Sequence, residues 1–218
     1  MQLGGRTQRD QAVRKFWKGL IMMDNKRIDM SEEIPEQTPL EVRIPEERIA
    51  VLIGKRGSTK KLVERMGECN LIIDSGTGIV EVQGKGDPLK SVITGSVVQA
   101  IGRGFSPEKA VLLYQENFQL AVISLRDFAN PGSKRISQIR ARLIGTNGRT
   151  RQIVEELTTS AISIYGDTVS IIGDYVSMEY AKEAVLMLVN GSKQRTVYTY
   201  LERNARDMRI KKIEETFG

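Results

Sequence analysis

At 218 residues the chain is long enough for two small domains with separate cores, and 33 Lys and Arg against 27 Asp and Glu leave a net charge of +6 that favours an anionic partner. Histidine is absent and Cys69 is the single cysteine, which removes the commonest general base, the commonest nitrogen metal ligand, internal disulfides and Cys-rich zinc sites. No apolar run approaches the roughly 20 residues of a membrane span, and the start Met1-Gln2-Leu3-Gly4-Gly5-Arg6 is unlike a secretory signal, so a cytoplasmic location is expected.

Residues 1–39 read as a basic segment and a linker. Val13, Phe16, Trp17, Leu20 and Ile21 fall at helical spacing among Arg6, Arg9, Arg14, Lys15 and Lys18, predicting a short amphipathic helix, and Ser31 to Pro39 holds two prolines and three glutamates with little pattern. Leu40-Glu41-Val42-Arg43-Ile44 alternates as a half-buried strand does. Pro45-Glu46-Glu47 then opens a helix that runs to Gly54-Lys55-Arg56-Gly57. The next helix turns Leu62, Val63 and Met66 inward and stops at Gly67. Strands at 71–73 and 79–82 flank a Ser75-Gly76-Thr77-Gly78 hairpin, and Asp87-Pro88 caps a helix that ends near Gly102. Cys69 is expected to be a buried structural thiol.

Ser106-Pro107-Glu108 starts a linker helix over roughly 107–115, and 118–125 reads as a strand. A loop at 126–133 leads to a helix, a second glycine turn and a helix over 150–157. Strands at 161–164 and 168–172 and a helix over 176–189 follow. The segment 192–218 reads as a terminal amphipathic helix with Val197, Leu201, Met208 and Ile213 inside, docked on the rest of the chain.

The same grammar occurs twice. Ala50 to Glu64 and Ala141 to Glu155 superpose at an offset of 91 residues, which sets Gly54 on Gly145, and Ala, Leu, Ile, both glycines, Thr, Val and Glu coincide. Past the hairpin the offset falls to 89, with Gly84 on Gly173 and Gly102 on Gly191, as a loop two residues shorter requires. Glycine lets a partner approach the backbone closely, the helix after each turn offers unpaired N–H groups, and cations cluster nearby. They are Lys55, Arg56, Lys60 and Lys61 in the first copy and Arg142, Arg149 and Arg151 in the second. Such a combination suits a nucleic-acid backbone.

The order strand, helix, Gly-x-x-Gly, helix, strand, strand, helix resembles a type I KH domain, present twice. The resemblance implies an α+β fold of two tandem KH domains, each a three-stranded antiparallel sheet with helices on one face. The units span 40–104 and 105–191, the second including the linker helix, followed by the helix at 192–218. In KH domains the glycine loop clamps about four nucleotides of single-stranded nucleic acid against an apolar groove. Carried over, the clamps are Gly54, Lys55, Arg56 and Gly57, and Gly145, Thr146, Asn147 and Gly148. Their groove floors are Ile53, Leu62 and Ile73, and Ile144, Ile153 and Ile164. The linker Ala100-Ile101-Gly102-Arg103-Gly104-Phe105-Ser106-Pro107-Glu108-Lys109-Ala110 and the strand after it resemble archaeal ribosome-assembly proteins similar to the eukaryotic partner-of-NOB family. That resemblance covers about residues 40–203. It implies binding near the 3′ end of small-subunit ribosomal RNA during assembly or processing. Contacts with an rRNA-processing nuclease and with the alpha subunit of initiation factor two are expected from the same source.

Two other functions compete. A nucleotide-hydrolysing loop needs four residues between its glycines followed by Gly-Lys-Ser/Thr, and neither copy complies. Asp74 and Asp87 are explained by a turn and a cap, so no catalysis, cofactor or metal is expected. A protein–protein adaptor in translation initiation or rRNA processing, using the KH folds as partner surfaces, is the alternative. Charge placement favours RNA: from Ala129 to Val154 the chain carries Lys134, Arg135, Arg140, Arg142, Arg149 and Arg151 and no acid.

Overall fold

A computed structural model describes residues 39–217. The N-terminal amphipathic helix expected around Val13 to Ile21, and the linker after it, lie outside the described residues. The first half runs β1 (Leu40–Arg43), α1 (Glu46–Ile53), a tight turn over Lys55–Gly57, α2 (Ser58–Gly67), β2 (Cys69–Ile73), β3 (Ile79–Gly84) and α3 (Pro88–Gly102). A connector follows, built of α4 (Pro107–Ala110) and a 3-10 turn over Val111–Tyr114. The second half repeats the order with β4 (Gln119–Ser124), α5 (Lys134–Ile144), a tight turn over Thr146–Gly148, α6 (Arg149–Thr158), β5 (Ala161–Tyr165), β6 (Thr168–Gly173) and α7 (Tyr175–Val189). Helix α8 (Gln194–Phe217) is the last element.

Each half holds one antiparallel sheet, in the orders β1-β3-β2 and β4-β6-β5. Register is equivalent in the two: Leu71 faces Val82 across β2–β3, and Ile162 faces Ile171 across β5–β6. Local chemistry sets the boundaries. Asp87, Ser133 and Asp174 each accept a backbone N–H of the helix they cap, from Leu89, Ile136 and Ser177. Asp74 accepts from the Gly76 N–H and the Thr77 hydroxyl and closes the first hairpin. Cys69 is fully buried, and burial pushes its thiol pKa up, in keeping with a structural side chain.

The structure departs from the sequence reading in three places. Met66 is exposed, because the buried stripe of α2 is Thr59, Val63 and Gly67. Helix α2 does end at Gly67, as expected, and Gly67 is also a close-approach residue: a Cβ there would meet Thr94 Oγ1 at 2.1 Å, and the next residue, Glu68, is left-handed. Ile213 is exposed, since Met208 is the last of the four named α8 positions to reach the core.

The third departure concerns the sheets. Helices cover one face of each, but the β4-β6-β5 sheet is covered on both. Ile162, Val169 and Ile171 pack with α5–α7, whereas Ala161 and Ile172 pack with Phe105 and with Ala110 and Leu113 of the connector in the core of the first half. The connector thus bridges the halves. Arg48 of α1 reinforces the junction by donating to the carbonyls of Ile101 (2.8 Å) and Phe105 (2.6 Å) while lying over the Tyr165 ring. Tyr165 donates to Glu47, and Ser163 donates to the Arg103 carbonyl. Gly104 sits with φ +94, where a Cβ would meet Ser163 Oγ at 2.8 Å.

Candidate nucleic-acid interface

The two glycine loops are congruent. Gly54 has φ 72, ψ 175 and Gly145 has φ 73, ψ 175, a region closed to residues with a Cβ. The third loop residues, Arg56 (φ 54) and Asn147 (φ 52), are both left-handed, as are Gly57 and Gly148 (φ 76 each). Asn tolerates that conformation well and Arg less so. Each loop is closed by one bond, from Gly57 N–H to the Gly54 carbonyl and from Gly148 N–H to the Gly145 carbonyl, both 3.2 Å.

The glycines face different surroundings. A Cβ on Gly54 or Gly145 would meet Oγ1 of Thr59 at 2.3 Å or of Thr150 at 2.2 Å, and the backbone nitrogen of either at 2.8 Å. A Cβ on Gly57 or Gly148 would meet nothing within 4 Å, so the outer edge of each loop stands open to a partner. Below the loops the apolar side chains form two layers. Leu52, Val63 and Leu71, and their counterparts Leu143, Val154 and Ile162, are at most 4% exposed and form the core. Ile53, Leu62 and Ile73, and likewise Ile153 and Ile164, are half-buried, while Ile144 is exposed. A surface-accessible apolar floor therefore lies beside each loop.

The sequence-predicted cations divide by what they touch. Lys55, Arg56, Lys61 and Arg149 are exposed, and their side chains enter no hydrogen bond or ion pair among the described residues. Thr146 and Asn147 are exposed at the second loop. Lys60 pairs with Glu64 at 3.7 Å and Arg151 with Glu155 at 3.6 Å. Arg142 is turned to the scaffold: its guanidinium donates to the Leu188 carbonyl (3.3 Å) at the negative end of α7.

Two supporting positions escaped the sequence reading. The carboxylates of Glu64 and Glu155 accept the backbone N–H of Leu71 (2.9 Å) and Ile162 (2.8 Å), tying each loop-bearing helix to the strand that walls its groove. Glu155 also takes Lys109 of the connector at 2.9 Å. Thr59 and Thr150, both buried, wedge under the first glycine of each loop. Their coincidence in the repeat was the available signal. Among the described residues no group of three or more Cys, Asp or Glu is placed to hold a metal. No described helix is long and apolar enough to cross a membrane.

Residues 119–206 match the profile of the second KH domain of Pno1, described as a eukaryotic-type KH domain (KH-domain type I). A KH domain-containing protein of Methanocaldococcus jannaschii is 38% identical over 176 residues, 79% of this chain and 77% of that protein. The pre-rRNA-processing protein pno1 of Schizosaccharomyces pombe is 28% identical over 109 residues, 50% of this chain and 45% of the relative. Among solved structures, a chain in the a/eIF2alpha–aDim2p–rRNA complex of Pyrococcus horikoshii OT3 is 44% identical. It superposes with a TM-score of 0.74 over 78% of this chain and 95% of its own. The chain belongs to the Pno1/Dim2 family of KH-domain proteins, in its archaeal form.

Proposed function

We propose that the chain binds single-stranded RNA without catalysing a reaction on it, using both glycine loops, and that both halves are KH domains. The observation that carries this reading is the congruence of the two loops. Each combines an open outer edge, exposed polar or cationic side chains and an apolar floor, the parts a KH clamp needs to hold about four nucleotides. Lys55, Arg56, Lys60 and Lys61 serve the first clamp, with Gly54 and Gly57 shaping it. Thr146, Asn147, Arg149 and Arg151 serve the second, shaped by Gly145 and Gly148. Arg142 contributes by holding α5 on α7.

The target we infer is the 3′ end region of small-subunit ribosomal RNA during assembly or processing. The rRNA in the related aDim2p complex and the pre-rRNA-processing role of the eukaryotic relatives support it. The a/eIF2alpha in that complex also supports a protein partner of that kind, and we extend the partner set to an rRNA-processing nuclease. The test is ultraviolet crosslinking of the protein in cells that carry it, followed by sequencing of the attached RNA. Reads concentrated at the 3′ end of the small-subunit rRNA are expected. Reads spread in proportion to RNA abundance would refute the assignment.

A further inference from the structure

The two loops share one geometry but not one support. Behind the second, a chain of contacts leads away from the RNA-facing side. Thr150, 1% exposed, fills the space under Gly145, and its Oγ1 accepts a hydrogen bond from the Tyr198 hydroxyl of α8 at 3.1 Å. One turn earlier on the same helix, Gln194 donates from Nε2 to the Arg142 carbonyl at 3.3 Å. Gln194 and Tyr198 are four residues apart and so project from one face of α8. They straddle the loop: one holds the helix that enters it, the other the helix that leaves it. Val197 and Leu201, both fully buried, anchor this stretch of α8 in the second core. At the first loop the Thr59 hydroxyl has no hydrogen-bond partner among the described residues.

We propose that α8 is a brace for the second glycine loop, with Tyr198 as its positioning residue, so that the order of this loop depends on the docking of α8. A loop held in its bound shape loses less freedom when a ligand arrives, so the brace raises affinity without touching the ligand. The consequence for RNA rests on the RNA-binding reading above; the brace itself is a property of the loop.

Tyr198→Phe removes one hydroxyl and keeps the ring. Amide hydrogen exchange should accelerate about three- to tenfold across residues 145–150 and stay unchanged across 54–59, as local opening requires. Unchanged exchange at 145–150, or an equal rise at 54–59, overturns the brace. Affinity for a single-stranded RNA of about twelve nucleotides, enough for two clamps, gives the second arm. Tyr198→Phe should weaken it roughly two- to fivefold, whether or not the first loop carries Lys55→Asp with Arg56→Asp. Where the second loop already carries Thr146→Asp with Asn147→Asp, no further loss is expected, and an equal loss there overturns the proposal. If exchange responds as stated while no background binds the RNA, the brace stands and the RNA-binding reading falls.

Discussion

Gly54 and Gly145 are constrained more tightly than Gly57 and Gly148, although each pair looks alike in the sequence. The first glycine of each loop combines a glycine-only dihedral pair with a threonine packed where a Cβ would sit. The second is merely left-handed and faces open space. Alanine at Gly145 should therefore cost roughly 3 kcal/mol or more, from dihedral strain and displacement of Thr150 together. Alanine at Gly148 should cost about 1–2 kcal/mol, the left-handed penalty alone. Urea unfolding of the two variants checks this, and equal losses would mean that Thr150 yields without cost. The two glycines were legible from their spacing and duplication. Their inequality was not, because it depends on a side chain five residues on that the helix start folds back onto the loop.

At the scale of elements, most of the order was readable because each boundary has its own chemistry: Pro or Asp before a helix, glycine in a hairpin, alternation along a strand. Misreadings arose where tertiary packing overrides periodicity. Met66 fits an apolar stripe that α2 does not use, since its contact with α3 is centred on Gly67 and Thr94. Ile213 continues the pattern of α8 beyond its last buried position. What holds that end of α8 is polar. Lys212 bonds Asp174 (2.9 Å), Ser177 (2.7 Å) and Thr159 near the start of α7 and the end of α6. Burial works against the Asp174 carboxylate, but the Ser177 N–H, Lys212 and the Ser177 hydroxyl outweigh it and hold its pKa below the ordinary value. A depressed carboxylate pKa gives stability that is present above the unfolded value of about 3.9 and lost as pH falls through the folded value. Lys212→Met should thus destabilise by about 1 kcal/mol at pH near 7, and the gap to wild type should narrow below pH about 4. A gap independent of pH would show that Asp174 is held without Lys212.

Across the described residues, the two halves form one compact unit because the connector packs into the core of the first and covers the second face of the sheet of the other. Composition and spacing suggested two modules on a linker. The packing of Phe105, Ala161 and Ile172 in one core was hidden, since an apolar residue does not declare which sheet it will meet. The junction at Arg48, Gly104 and Tyr165 fixes both glycine loops in one frame. A strand held by both clamps gains from the second as an intramolecular event, and a fixed frame sets the path it must follow. Of the two, the second loop should contribute more. Glu64 and Glu155 are equivalent, so their charges cancel in the comparison, and the second loop has Thr146 and Asn147 as hydrogen-bonding groups and the support of α8.

The most direct measurement is the equilibrium affinity for a single-stranded RNA of about twelve nucleotides, with circular dichroism confirming that each variant is folded. Thr146→Asp with Asn147→Asp should weaken binding at least tenfold, about 1.4 kcal/mol. Lys55→Asp with Arg56→Asp should weaken it less, and all four together by about the product of the two losses. A folded fourfold variant that binds within about twofold of wild type, a difference of about 0.4 kcal/mol, would contradict RNA recognition by the glycine loops.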